Sequence, residues 1–512
     1  MYKNSVDLIQ IILRDISQNT LEGGLKGIEK ESLRILDNMI SPTKHPLSLG
    51  SSLCNRYITT DFSEAQLELV TPPIRSNRET HQFLDYIHHF INNNIEDEIM
   101  WPLSMPPIIK SENDIPIASY GHSDQALFKT TYRNGLSNRY GRVMQTISGI
   151  HFNYSLPDKI WPYLFPEMTN DEKKDIKSSM YFRGLRNLQR MNWLILYLFG
   201  ASPIISKNFI SDRYDFSKLN EDYYFLPHAT SLRMSDLGYQ NIHQSRLKVS
   251  LDSISQYSND LRDATEKSSD EFMKISINSI EDHPQINASL LQIEDEYYSG
   301  ARPKSSLISD RRLTAELIEN GVDYIELRSL DLNPFVKTGI NLEAISFLEA
   351  FCIYCILKPS PLLSYKELEV NKANDLSVAV GGRNPKLKLD RDNSHLSIKE
   401  WGKQIIDDMS PIFELLDINY NSINLINKTL EDTELTPSSK LMEVVSSKKD
   451  YFSFVSSLGE ENKKYYEDIN KSENSIWKAL SEESKNSLIL EGKLKRSNTT
   501  SYKKYMKRYY GS

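Results

Sequence analysis

The stretch TTDFSEAQLELVTP, residues 59–72, decides the fold. After Asp61 it sets Glu64, Gln66 and Glu68 at every second position, with Ala65, Leu67 and Leu69 between them. A period of two is the signature of a strand with one apolar and one polar face. Pro72 and Pro73 end the strand. Carboxylates in a row repel one another unless a cation sits among them, and a divalent metal is a candidate. Such a strand can also be an ordinary solvated one, so recurrence of the design elsewhere carries the argument.

The design recurs. GIEKESLRI, residues 27–35, puts Glu29 and Glu31 on one face. GIHFNYSL, residues 149–156, puts His151 and Asn153 on one face and Phe152 and Tyr154 on the other. GVDYIELRSLDLNP, residues 321–334, aligns Tyr324, Glu326 and Arg328 opposite Ile325 and Leu327. LLQIEDEYYSGARPK, residues 290–304, alternates Gln292, Glu294, Glu296 and Tyr298, and Arg302 and Lys304 follow a glycine. The expectation is an α+β fold whose mostly antiparallel sheet presents Glu29/Glu31, Asp61/Glu64/Glu68, His151/Asn153 and Glu326/Arg328 on one concave face.

Around these strands the chain reads as helical shell and loops. Residues 5–20, 76–100, 170–200, 250–275, 340–357 and most of the chain beyond residue 396 have helical patterning. The block 101–149, broken by Pro and Gly and rich in polar and aromatic residues, reads as loops lining a pocket. GGRNP, residues 381–385, is a tight basic loop. No tandem repeat or linker is evident. The expected organisation is one large catalytic domain over residues 1–512. Its helical C-terminal portion, 396–512, packs on the body, and a basic tail from about residue 495 is read as solvated.

A net charge of -8 does not suggest a nucleic-acid-binding surface. The apolar run 191–201 is about half a membrane span. The opening MYKNSVDLIQIILRD lacks a small-residue cleavage site, so no signal peptide is expected. Three cysteines are too few for a disulfide framework and point to a reducing compartment, the cytoplasm. Cys352 and Cys355 form a Cys-x-x-Cys inside an apolar helical run, where buried inert thiols are expected.

Hard oxygen ligands with one imidazole suit magnesium or manganese. There is no GxxxxGK[ST] loop, so ATP use would not be of the P-loop kind, and no dinucleotide fingerprint or Gly-x-Ser-x-Gly elbow occurs. The residues alone leave two chemistries open: phosphoryl transfer from ATP, and two-metal hydrolysis. The glutamate-rich set with an arginine leans toward the nucleotide.

GIEKESLRI, ITTDFSEAQLELVTP, MWPLSMP, YGRVMQTISGIHFNYSLP, YLFGASP, ATSLRMSDLGY and GVDYIELRSLDLNPF together resemble glutamate–cysteine ligase of the proteobacterial type, in order from about residue 20 to about residue 390. Beyond about residue 400 the resemblance thins. It implies a funnel-shaped sheet like that of the glutamine synthetase catalytic domain. It also implies ATP-dependent joining of the glutamate γ-carboxyl to the cysteine amine through γ-glutamyl phosphate, the first step of glutathione biosynthesis. By the same resemblance Glu29, Glu31, Asp61, Glu68, His151 and Glu326 are the metal set, for Mg2+ or Mn2+. Arg328 faces the phosphates or acyl phosphate, and Arg302 and Lys304 are further phosphate contacts. Phe62, Tyr132, Arg233, Tyr239 and Tyr298 form the cysteine pocket, and Gln145 and Asn153 are polar supports. The implied partners are glutamate, cysteine and ATP, with no nucleic acid or membrane, and the protein is expected to be a monomer.

Overall fold

The computed structural model describes residues 21 and 23–510, apart from short stretches at 166–168, 239–243, 245–246, 279–282, 307–310, 449, 469–473 and 497–501. The expected helix at residues 5–20 and Tyr239 therefore lie outside the described residues.

The predicted strands form the centre of the molecule. β1 (Leu25–Leu36) is flanked by β4 (Gln66–Val70) and β6 (Ile150–Ser155). The eight-stranded sheet runs β10-β11-β6-β1-β4-β3, where β3 is Ile58–Thr60, β10 is Ala301–Lys304 and β11 is Tyr324–Leu330. The short strands β2 (Met39–Ile40) and β5 (Ile99–Met100) pair with the far end of β1. Every pairing in this sheet is antiparallel. The turn from β1 to β2 uses Asp37 and Asn38 at φ 48° and 65°, the left-handed pair that a tight hairpin needs. Among the described residues, β7 (Ile204–Ser206), β8 (Ser217–Lys218) and β9 (Tyr223–Phe225) make a three-stranded sheet, and β12 (Lys388–Arg391) with β13 (Ser394–Ser397) a hairpin.

Alternation sorts the two faces. Ile28, Leu67, Leu69, Ile150, Phe152, Tyr154, Ile325 and Leu327 all point into one core. The helices Asn170–Phe199 and Leu342–Leu357 complete that core with Leu185, Leu188, Trp193, Phe347, Phe351 and the rest of their buried faces. Thr169 and Glu172 form a capping box at the start of the first, and Asn341 accepts from the Ala344 amide at 2.9 Å at the start of the second. Cys352 and Cys355 are fully buried in the second helix as free thiols, and burial pushes both pKa values up. The opposite face of β1 changes character along its length. Glu29 and Glu31 are polar, whereas Leu33 and Ile35 join a second core with Phe62, Ala65, Trp101 and Leu136. That second core walls one end of the polar face.

Several expectations need correction. Residues 101–149 are not all loop, because Asp124–Tyr140 is a helix capped by Ser123. Its Gly135 lies where a side chain would collide with the Gln292 amide, only 1.9 Å from a built Cβ, so the glycine is there for close approach. Residues 290–300 are not a strand. They form a loop with a single 3-10 turn at Glu294–Glu296, and only Ala301–Lys304 pairs. Glu64 is not on β4, which starts at Gln66; its carboxylate accepts from the amides of His45 and Ser119 instead, both at 3.0 Å. The basic segment read as solvated tail contains the helix Tyr502–Tyr510, with Tyr505 buried against Phe128.

Candidate active site

Strand register gathers the polar residues on the side chain layer opposite the main core. Glu31 stands directly across from Glu68, Glu29 across from His151, and Glu326 lies between Arg302 on one side and Asn153 on the other. Cross-strand neighbours on one face are about 5 Å apart, so these side chains interact directly. His151 Nδ1 is 3.1 Å from Glu29 Oε2, and Asn153 Nδ2 donates to Glu29 Oε1 at 2.8 Å. Arg328 donates to Glu326 Oε1, and Lys304 Nζ is 3.2 Å from its Oε2. The Gly149 amide donates to Glu31 Oε2 at 2.9 Å.

These groups line a cavity of about 230 Å³. Its walls include Glu29, Glu31, Asp61, Phe62, Glu68, Tyr132, Gln145, His151, Tyr298, Arg302, Lys304, Glu326 and Arg328. A larger cavity of about 1030 Å³ lies on the other side of Glu29, which lines both. The larger one is also bordered by Lys26, Arg75, Asn153, Lys159, Lys177 and Tyr324.

The electrostatics divide the carboxylates into two groups. Burial raises the Glu68 pKa well above the usual range, and Glu29, Asp61 and Glu31 add to it. Burial and then Asp61 push Glu31 up to about 8. Burial acts the same way on Glu326, yet Lys304 and Arg328 hold it well below the ordinary value. Against its own burial, Glu29 is kept low by the His151 hydrogen bond. Burial, then Arg328, lowers His151, so its imidazole is held neutral and able to act as a ligand.

The site can take a cation. Glu29, His151 and Glu326 each offer a donor atom, and the three atoms lie within 4.8 Å of one another. Glu31 and Glu68 stand opposite each other, and burial, then neighbouring carboxylates, raises both pKa values, so a cation between them would be favoured. Asn153 Oδ1 is buried with no partner among the described residues. Carboxylate oxygens with one imidazole match a hard divalent ion such as magnesium or manganese.

Other expected residues fall elsewhere. Asn153 faces the larger cavity. Arg233 is 1 % exposed and sits behind the small cavity's wall: its Nη2 donates to the Arg328 carbonyl at 3.0 Å and its Nη1 is 3.7 Å from Asp331. Gly149 makes room for it, since a Cβ there would lie 1.9 Å from Nη2. Arg302 donates to the carbonyls of Asp295, at 2.8 Å, and Tyr297, which ties it to the loop beside β10. Gln145 Nε2 is 3.5 Å from the Tyr298 hydroxyl. Sequence reasoning missed Arg133 and Asp295, which also line the small cavity. Arg133 donates to the Asp61 carbonyl and follows Tyr132 directly, which was the one available signal.

An antiparallel sheet with helices on one face and carboxylates, an imidazole and cations on the other is the α+β architecture of the glutamine synthetase-like ligases. The family model "Glutamate-cysteine ligase" matches residues 9–378. Glutamate–cysteine ligase of Alcanivorax borkumensis is 40% identical over 459 residues, covering 87% of each chain. That of Pseudomonas fluorescens is 39% identical over 441 residues, covering 84% of this chain and 83% of the other. A crystal structure of glutamate–cysteine ligase from Francisella tularensis in complex with AMP superimposes with TM-score 0.89 at 34% identity, over 96% of this chain and 98% of that one. A bifunctional glutathione synthetase from Pasteurella multocida gives TM-score 0.69 at 25% identity, over 89% of this chain and 53% of its own. The chain belongs to the glutamate–cysteine ligase family.

Proposed function

We propose that the two cavities meeting at Glu29 are the nucleotide and amino-acid halves of one ligase site. The family membership gives the overall reaction: glutamate and cysteine are joined to γ-glutamylcysteine with hydrolysis of ATP to ADP and phosphate. The observation that carries the assignment of parts is that Glu29 lines both cavities while His151 and Glu326 bring donor atoms within 4.8 Å of its own.

The larger cavity is of the size that binds a nucleotide, and the exposed Arg75 and Lys159 on its border suit a polyphosphate, whereas Lys26 and Lys177 there are paired with Glu349 and Asp323. A γ-phosphate in that cavity would reach the small one past Glu29, which lines both. Glu29, His151 and Glu326 would hold one divalent cation, and Glu31, Asp61 and Glu68 line the small cavity and would take further positive charge. Bound Mg2+ or Mn2+ supplies neutralisation of the phosphate oxygens as charge moves during transfer.

A carboxylate is a poor electrophile because oxide is not a leaving group near neutral pH. The γ-carboxylate oxygen of glutamate attacks the γ-phosphorus, the bond to ADP breaks, and γ-glutamyl phosphate results. Arg328 and Lys304, both anchored on Glu326, present two fixed positive charges to the phosphoryl oxygens. The amine of cysteine then attacks the acyl carbon and phosphate leaves with the original carboxylate oxygen. Phe62, Tyr132 and Tyr298 shape the wall for the amine substrate, and Arg133 is the cation on that wall suited to its carboxylate. Arg233 acts from behind, fixing the Arg328 backbone.

The same reading takes the chain as one catalytic domain, acting as a cytoplasmic monomer without nucleic-acid partners. Three unpaired thiols and the acidic net charge support it. Among the described residues no helix is long and apolar enough to cross a membrane. The test of the mechanism is isotopic. Glutamate labelled with ¹⁸O in the γ-carboxylate should deliver one labelled oxygen to phosphate per product formed; unlabelled phosphate would rule out the acyl phosphate.

A further inference from the structure

The wall of the amine pocket has a weak point. Asp295, Glu296 and Tyr298 come from the loop between residues 285 and 300, which is held by one isolated bridge, Ser289 to Ser268, and one 3-10 turn. Backbone groups that such a bridge and turn leave over must be satisfied by side chains. Arg139 does so on one side, donating to the carbonyls of Asn287 at 2.5 Å and Ser289 at 3.0 Å.

On the other side the partner is the last described helix, Tyr502–Tyr510, far from the site in sequence and beyond the residues that the family model covers. The Tyr510 hydroxyl donates to the Gln292 carbonyl at 2.5 Å and accepts from Asn287 Nδ2 at 2.9 Å. Gln292 is fully buried and connects directly to the pocket. Its amide donates to Glu296 Oε2 at 2.7 Å, and its side chain Nε2 donates to the Tyr132 carbonyl at 3.2 Å. Gly135 leaves the space for that side chain.

The same helix packs beneath Tyr132. Phe128 and Tyr132 are four residues apart on one helix and share a face. Phe128 has Tyr509 at 4.7 Å and Tyr505 at 5.6 Å between ring centroids, and Tyr132, Met506 and Tyr509 pack around this cluster. The Arg312 guanidinium lies 5.3 Å from the Tyr510 ring while paired with Glu294 at 2.6 Å, so it ties the helix to the 3-10 turn as well.

We infer that Tyr510 is a positioning residue for the amine substrate, acting through Gln292 on Tyr132 and Glu296. This rests on the reading of the small cavity as the amine pocket. A buried loop that loses this hydroxyl keeps its fold but lets Tyr132 and Glu296 drift, and a pocket that has drifted binds its small ligand less well.

Steady-state kinetics on the full chain test it with Tyr510→Phe, deletion of residues 502–512, and Tyr132→Ala as a control on the pocket itself. For Tyr510→Phe, KM for cysteine should rise about three- to tenfold, the size expected from one lost hydrogen bond, while KM for ATP, kcat and the melting temperature stay within experimental scatter of wild type. The deletion should raise KM for cysteine further in the same direction. If Tyr132→Ala raises KM for cysteine and Tyr510→Phe does not, the pocket stands and the positioning role is overturned. If Tyr510→Phe lowers the melting temperature and kcat with KM for cysteine unmoved, the helix is merely structural and the inference fails. If Tyr132→Ala itself leaves KM for cysteine unchanged, the pocket assignment falls and takes the inference with it.

Discussion

Replacing Glu68 by Gln should separate the cost of the empty site from the gain of the filled one. Glu68 faces Glu31 across β4 and β1. Two full charges at a separation of about 5 Å, with an effective dielectric constant near ~20, repel by about 3 kcal/mol. Protonation relieves that repulsion at low pH, since Glu31 titrates at about 8 and Glu68 well above its usual range. In chelator at about pH 4, below the unfolded value of 4.5, Glu68→Gln should therefore be about as stable as wild type. At pH 9, where Glu31 is ionised, it should be more stable by about 1–3 kcal/mol. Turnover with saturating Mg2+ and ATP should fall by about a hundredfold or more, because a carboxylate that balances the cation charge is gone. Calorimetric melting at the two pH values, paired with ADP release, measures both. Glu68→Gln melting well below wild type in chelator at both pH values would refute the electrostatic account. So would wild-type turnover.

Three further outcomes are expected. Because native Glu31 titrates at about 8 against an unfolded value of 4.5, the folded chain holds more protons between these values, so metal-free stability should fall as pH rises through that window. Added Mg2+ should offset the fall and release protons on binding, with titration calorimetry in two buffers showing the release; binding near pH 7 with no proton exchange would contradict it. Serine at both Cys352 and Cys355 should leave turnover per folded molecule unchanged and lower stability by about 1–3 kcal/mol per site, and abolished turnover with a wild-type melting curve would show a chemical role for the pair. Finally, 2-aminobutyrate, with methyl in place of the thiol, should serve as acceptor with kcat/KM about tenfold lower than cysteine; a total failure would mean that the site holds the sulfur itself.

The parts of the site that the sequence made legible are those in which backbone periodicity and chemistry coincide. On β4, β6 and β11 the alternate residues Leu67, Leu69, Ile150, Phe152, Tyr154, Ile325 and Leu327 are apolar and buried, which places Glu68, His151, Asn153, Glu326 and Arg328 on the other face; on β1 only Ile28 gives that signal, since Lys26, Lys30 and Ser32 share its side, and Glu29 and Glu31 are placed by their own spacing. Alternation misleads where no ladder follows. Glu64 keeps the period of two but sits in the turn before β4, and residues 290–298 keep it while their backbone is tied by Gln244 and Tyr510. The helix Asp124–Tyr140 was hidden because Gly135 looks like a breaker, and its reason, the Gln292 amide, is 157 residues away. Arg233 reads as a ligand-binding arginine, and only the fold shows that Asp331 and the Arg328 carbonyl hold it behind the wall. The closing helix was read as a solvated tail because its lysines dominate the pattern, whereas its tyrosines find Phe128 and Gln292 only in three dimensions.

The most direct measurement supplies ATP, Mg2+ and glutamate, varies the amine, and follows ADP together with product mass. ADP formation should require glutamate, rise strongly with cysteine, and match γ-glutamylcysteine one for one, with ammonia a far poorer acceptor because it offers neither side chain nor carboxylate to the wall of Phe62, Tyr132 and Tyr298. Equal turnover with ammonia would contradict the amine pocket, and product formed without ATP consumption would contradict the ligase reaction itself.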